Sequence, residues 1–336
     1  MKPVRVDPAG ITGPTRGQVR SKRWRQSSRG FHVPADVDAS VPEQRILEAS
    51  VRLPEGGAVT GWAGCRWRGG GYFDGLEADG RTPIPVPLAV GPRHDLRDRP
   101  EISVMRDRLD PDDFALVRGM PCASAERSLF DDMRTASEVR EAVVSIEMMA
   151  AAELTSIQRM RRYCTERARW NGLPRVCSAL DLADEESRSP NETRMRLIWV
   201  LDAGLPRPLV NQPVFNLRGD LIGIADLFDP DAGVVGEYDG AAHRGARRHH
   251  RDVVREDRFR RAGLEYFKVV GLDLADVGVV VDRMLTTRGR ARWLPPARRA
   301  WTLTPPPGWY ESPLESASLD ERLAYREWLQ TQNWAG

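Results

Sequence analysis

One stretch constrains the chain more than any other: LIGIADLFDPDAGVVGEYDG, residues 221 to 240, followed by a His- and Arg-rich segment that runs to Asp257. Two apolar runs flank DPDAG (residues 229 to 233), where Pro comes early and Gly stands at the exit, the composition of a tight turn. The first run, 221 to 228, carries one carboxylate within its apolar part, Asp226. The second, 234 to 240, carries Glu237 and Asp239. A turn centred between Asp231 and Ala232 sets Asp226 directly opposite Glu237 in an antiparallel pair. Opposed residues share a face with Cβ atoms about 5 Å apart, and like charges there repel. Asp239 faces the same way, because side chains alternate along a strand. Three acids therefore converge on one side of an otherwise apolar hairpin. Either a hard divalent cation, Mg²⁺ or Mn²⁺, sits among their oxygens, or the register is displaced and the acids face solvent.

A chain of 336 residues has room for two or three domains with cores of their own. Hydrophobic residues at 41% and charged residues at 29% describe an ordinary globular protein. The net charge of +2 argues neither for nor against a polyanionic partner. The 50 basic residues include only three Lys (Lys2, Lys22 and Lys268), so a catalytic lysine has three candidates. Four cysteines, at 65, 122, 164 and 177, lack metal-ligand spacing and suit a reducing compartment. The N-terminus lacks an apolar signal region and no apolar run approaches membrane-spanning length. A cytoplasmic protein without a membrane partner is expected.

Taken in order, the chain divides into five segments. Residues 1–35 form a basic leader, with a brief helix over 15–21, a strand ending near Val33, and Arg16, Arg20, Lys22, Arg23, Arg25 and Arg29 interleaved with Trp24 and Phe31. That pattern is either a phosphate-binding surface or a solvated lead-in to the next domain. Residues 36–135 read as a modest α/β domain, with an N-cap signal at Ser124. Residues 136–185 read as a helical connector, whose Met148 and Met149 are core rather than cofactor ligands. Residues 186–292 open on Ser189, Pro190 and Glu192, a capping box, and continue as helix, three strands, helix and strand. A Pro- and Trp-rich tail with one short helix over 319–330 fills 293–336.

The order helix, three strands, helix, strand, with Asp226 on the second strand and EYD on the third, resembles the PD-(D/E)xK nuclease core. More closely, ETRMR, GIADLFD, GEYDG with His243, and RDVVREDRFRRAGLEYFKVV are similar to very-short-patch-repair-endonuclease-like domains. The resemblance spans residues 187 to about 290. It implies an α/β (mixed α+β) class with a restriction-endonuclease-like αβββαβ core behind a smaller α/β domain. It also implies a Mg²⁺- or Mn²⁺-dependent DNA endonuclease. The acid set would be Glu192, Asp226, Glu237 and Asp239, serving as metal ligands and catalytic groups, with His243 as acid or base. Arg244, Arg251 and Arg255 would contact DNA, together with Arg20, Arg23 and Arg25 of the leader. That leader is similar to the start of AbiE-type antitoxin-like chains, where SKRWRQSSRGFHVP matches the wing of a winged helix but the preceding helices are missing. Two departures stand out: Asp239 occupies the place where the superfamily often has Lys, and Ala225 precedes Asp226 where Pro is usual. Lys268 is a candidate for a displaced cation.

Several of these residues have a second reading. Glu192 is either a cap or a ligand, Asp239 either a ligand or a cap for the turn at Gly240. Arg255 with Asp257 is either a phosphate contact or part of an ion-pair network. A non-catalytic DNA-binding regulator of toxin–antitoxin type, using the same fold as a scaffold, is the alternative to the enzyme.

Overall fold

The computed structural model describes residues 1–240, 246–310 and 312–333; for residues 246–252 and 333 it describes the backbone. Among the described residues the protein is mixed α/β, with three sheets and ten α-helices. No helix among them is long and apolar enough to cross a membrane. The chain forms two compact units, Met1–Ser145 with Gln158–Ser178, and Ile146–Ile157 with Ala179–Gly336. The basic leader is thus part of the first unit and the tail part of the second. The helical connector is divided between them.

The first unit begins with β1 (Val4–Arg5), β2 (Trp24–Ser28) and β3 (Phe31–Pro34), which form a small antiparallel sheet in the order β1-β3-β2. The expected helix before β2 is a single 3-10 turn, Gln18–Arg20. Then come α1 (Pro42–Ser50), β4 (Ala58–Val59), α2 (Gly61–Arg68), β5 (Val86–Ala89), β6 (Ile102–Met105), β7 (Phe114–Val117), β8 (Met120–Ala123) and α3 (Ala125–Thr135). The strands β4 to β8 make one sheet, ordered β6-β5-β4-β8-β7. Ser124 caps α3 through its hydroxyl, which accepts from the Arg127 N–H at 3.1 Å. Gly64 of α2 lets α3 approach closely: a Cβ there would stand 2.3 Å from the Ser128 Oγ. The helices α4 (Val139–Ala151), α5 (Ile157–Thr165) and α6 (Leu173–Leu182) follow where the connector was expected.

The second unit contains α7 (Pro190–Leu197), which runs on into a π-helical turn at Ile198–Asp202. The strands are β9 (Leu209–Asn216), β10 (Leu221–Asp229), β11 (Val234–Asp239), β12 (Glu265–Val270) and β13 (Trp301–Thr302). Helices α8 (Ala246–Arg261), α9 (Val277–Arg290) and α10 (Leu319–Asn333) complete it. The sheet order is β12-β11-β10-β9-β13; only β11 and β12 are parallel. Placing β12 in parallel beside β11 requires a crossover, which α8 supplies. Within the tail Trp301 is buried beside β9 as an edge strand, and the expected helix runs Leu319–Asn333.

Both faces of this sheet are covered. Met195, Ile198 and Trp199 of α7 and its π turn, with Val280 and Met284 of α9, pack on Leu227, Val234, Phe267 and Val269. On the other face Phe259 of α8 and Trp301 pack with Val214, Phe228, Val235 and Tyr266. Two glycines set the spacing. At Gly236 a Cβ would lie 2.3 Å from the Phe267 ring, and at Gly223 it would lie 2.6 Å from the Phe259 ring. Each ring therefore rests on bare backbone, and at Gly223 this lets α8 sit closer to the sheet than a side chain would allow.

A buried ion pair anchors α7. Glu147, fully buried, pairs with Arg196 and accepts from the Thr193 hydroxyl at 2.5 Å and the Asp184 N–H at 2.8 Å. Burial pushes the Glu147 carboxyl up and Arg196 pulls it back down. Since both charges are desolvated, deleting one partner leaves the other uncompensated.

Candidate functional site: an acid-rich hairpin on the central sheet

The hairpin β10–β11 has the register that the turn chemistry predicts. Asp229 faces Val234, Phe228 faces Val235 and Leu227 faces Gly236. One step further sets Asp226 across from Glu237. The turn is tied by Asp229, whose Oδ1 accepts from the N–H of Asp231 at 3.0 Å and of Ala232 at 3.1 Å. Its other oxygen takes Arg288 of α9 at 2.8 Å, and Gly233 leaves the turn at φ +76°. Local hydrogen bonds thus decide the register, and the register decides which acids meet.

Glu237 is buried, with its carboxylate on the α8 face of the sheet. Its Oε2 accepts from the Arg255 guanidinium at 2.6 Å and the Tyr266 hydroxyl at 2.9 Å. Burial, then the charge of Glu237, pushes the Tyr266 hydroxyl far above its ordinary range, so it remains a donor. Asp239, two residues on, forms an ion pair with Lys268 at 3.5 Å. Lys268 stands beside Glu237 in the parallel register of β11 and β12. The ammonium group thus lies at the acid edge, supplied by the neighbouring strand.

Asp226 is half-buried and accepts from the Tyr238 N–H at 2.8 Å. Its carboxyl is pushed up to about 7 by burial, then by the charges of Glu192 and Glu237, against the pull of that N–H and of Arg255. Glu192 reaches this neighbourhood from the start of α7. Its Oε1 accepts from the Ser189 hydroxyl at 2.9 Å, and its Oε2 from the Arg188 N–H at 3.0 Å and the Asn211 amide at 3.0 Å. Asn211 sits on β9 between the positions paired to Ala225 and Leu227, hence alongside Asp226. It adopts a positive φ of 44°, uncommon for a residue with a side chain. Glu192 is thus a helix cap and also a source of negative charge at Asp226.

The acids are neighbours without being a cage. Among the described residues no three His, Cys, Asp or Glu side chains are gathered so as to hold a metal ion. Mg²⁺ commonly takes one or two carboxylates and completes its shell with water and substrate oxygens. Asp226 and Glu237, hard oxygen donors with an excess of negative charge around them, fit that habit.

The remaining sequence candidates separate clearly. His243 and Arg244 lie outside the described residues, and of Arg251 only the backbone, within α8, is described. Arg255 lies on Glu237, and Asp257 pairs with Arg261 at 2.7 Å, so each takes part in an ion pair. In the leader, Arg25 is engaged: its guanidinium grips both oxygens of Glu48, at 2.8 and 2.5 Å, and the Val37 carbonyl at 3.2 Å. Arg20 and Arg23 are exposed, as are Arg16, Lys22 and Arg29, and no ion pair among the described residues involves these five. Sequence reasoning missed Tyr266, Asn211 and Gly223. The signal for Tyr266 was its alternation with Lys268 on one strand face; for the other two, whose roles depend on packing partners far along the chain, there was none.

Comparison with known proteins gives no match: no family model, no curated protein and no solved structure resembles the chain significantly.

Proposed function

We propose that the second unit is a divalent-cation-dependent endonuclease of DNA, its α7–β9–β10–β11–α8–β12 succession being a restriction-endonuclease-like core of the PD-(D/E)xK kind. The observation that carries this reading is Asp226. Its carboxyl is pushed up to about 7 because burial and two like-charged neighbours oppose its ionisation. A structure keeps such a repulsive arrangement at a cost to stability, which a cation binding there would relieve. Asp226 and Glu237 would hold Mg²⁺ or Mn²⁺, with Glu192 and Asp239 tuning the charge around them. The cation would supply Lewis-acid polarisation of the phosphodiester and lower the cost of ionising water. Tyr266 holds Glu237 in place from the strand beside it. Lys268 brings a positive charge to the edge where a phosphate oxygen would gain negative charge. His243, following the same strand in sequence, would exchange the proton. Exposed Arg20 and Arg23 would contact backbone phosphates without reading sequence.

A second reading, a non-catalytic DNA-binding regulator, draws on a different observation. The five cations of the leader are exposed and have no ion-pair partners among the described residues, which leaves them available to phosphates. Cleavage of supercoiled plasmid with Mg²⁺ or Mn²⁺ separates the two. Nicking by the wild type that Asp226→Ala and Glu237→Ala both abolish supports the nuclease. DNA retardation by all three proteins, with no cleavage by any, supports the regulator.

A further inference from the structure

The Arg255–Glu237 pair is unlike a surface ion pair. Glu237 is 2% exposed, and Arg255 covers it from above with a side chain 36% exposed. The stem of Arg255 is seated by Gly223: a Cβ there would meet the Arg255 Cγ at 3.2 Å and the Phe259 ring at 2.6 Å. The bare backbone of β10 thus draws α8 down, and the guanidinium reaches the acid pair from the solvent side. It shares the Glu237 Oε2 with the Tyr266 hydroxyl. Tyr266 reaches that oxygen from the adjoining strand, at the position next to Val235 in the parallel register. One donor is a fixed, neutral hydroxyl within the sheet; the other is a charged group on a long side chain with access to water.

We propose that Arg255 is a resident counter-ion, standing beside Glu237 where a divalent cation would stand and yielding that place when the cation binds. This inference rests on the nuclease reading and deepens it. An Arg charge keeps the buried Glu237 tolerable in the cation-free protein, since an unpaired buried carboxylate is strongly destabilising. On displacement the guanidinium, still tethered to α8, is next to the acid pair and suited to bind a phosphate in two-pronged fashion. The pair is then a latch that the cation opens and a bound phosphate keeps open, and Tyr266 preserves the orientation of Glu237 through the exchange.

The test is Mn²⁺ binding to the full-length protein, by titration calorimetry and by electron paramagnetic resonance of free Mn²⁺. Wild type, Arg255→Gln, Arg255→Lys and Asp226→Asn are compared, with circular dichroism to verify folding. Arg255→Gln is expected to bind Mn²⁺ at least five-fold more tightly than wild type, because the competing charge is gone. Its plasmid cleavage is expected to fall at least ten-fold, because the phosphate contact is gone too. Arg255→Lys, which keeps the charge, is expected to bind Mn²⁺ as wild type does. If wild type binds Mn²⁺ and folded Arg255→Gln binds it equally or more weakly, the counter-ion role is overturned and the nuclease reading stands. If neither wild type nor any variant binds Mn²⁺, the nuclease reading falls and takes this inference with it.

Discussion

The two units use the same residue types, arginine and carboxylate, in opposite ways. In the first, Arg127 is fully buried; its Nε bonds Asp131 at 2.8 Å and a terminal nitrogen bonds the Arg108 carbonyl at 2.7 Å. Asp131 also takes the Thr60 hydroxyl and Arg134, each at 2.7 Å. Asp113 takes Arg167 at 3.1 Å and the Tyr163 hydroxyl at 3.3 Å. The guanidinium groups of Arg127, Arg134 and Arg167 lie 4.6, 5.9 and 5.5 Å from the Trp170 ring. In the second unit Asp226, Glu192 and Glu237 are brought close enough for the two glutamates to oppose the ionisation of Asp226. Among the described residues no ion pair reaches Asp226 or Glu192, and Arg255 serves Glu237. In the first unit matched charge holds distant segments in one arrangement, whereas in the second like charges are held together at the proposed cation site.

The contrast can be broken, with the largest loss of stability, at Arg127. Replacing it by Met removes one of the two guanidinium partners from each of the buried Asp131 and Asp113, and the first unit should lose about 3 kcal/mol. Urea unfolding followed by tryptophan fluorescence measures this, and a loss below about 1 kcal/mol would show that the cluster is not a scaffold. Asp226→Asn should do the reverse. The carboxyl rises from its ordinary 3.8 to about 7 in the folded chain. Stability from this site is therefore full below the unfolded value and is lost as pH rises through about 7. The Asn variant, which keeps an acceptor for the Tyr238 N–H, should be more stable than wild type by about 4 kcal/mol at pH 8 and nearly equal to it at pH 4. Thermal melts at the two pH values check the sign, and an equal gain at both would remove the charge excess from the argument.

A smaller effect sharpens the comparison from the ligand side. Mn²⁺ at ten times its dissociation constant should stabilise the wild type by about 1.4 kcal/mol at pH 8. It should do nothing for Glu237→Gln, as read by the shift in melting temperature. The smallest effects concern the leader. Arg25→Ala should cost about 1 kcal/mol of stability through loss of its partly buried pair with Glu48. It should leave DNA affinity unchanged. Arg23→Ala should leave stability alone and lower the salt dependence of DNA binding by about one charge. Gel retardation across a salt series distinguishes them.

Much of the site was legible before any coordinates. The turn at 229 to 233 depends on Pro, Asp and Gly chemistry within five residues, so its register could be read locally, and with it the meeting of Asp226 and Glu237. The capping box at Ser189 and Glu192 is equally local, and α7 begins where that motif predicts. Arg25 illustrates the opposite case. In the sequence it is one cation among several in a basic run, yet Glu48, which engages it, lies 23 residues on. No local pattern separates it from its exposed neighbour Arg23.

By itself, the sequence determined which residues alternate along each strand, where the helices begin, and that three acids share one hairpin, because these follow from backbone geometry over a few residues. Only the tertiary structure decided the rest. It brought β12 into parallel register beside β11, so that Lys268 and Tyr266 meet Asp239 and Glu237. It drew Trp301 from the tail onto β9. It lowered α8 onto Gly223, so that Arg255, itself partly exposed, reaches the buried Glu237. Each of these depends on surfaces contributed by segments far apart in the chain, and packing alone selects among the partners that local chemistry leaves open.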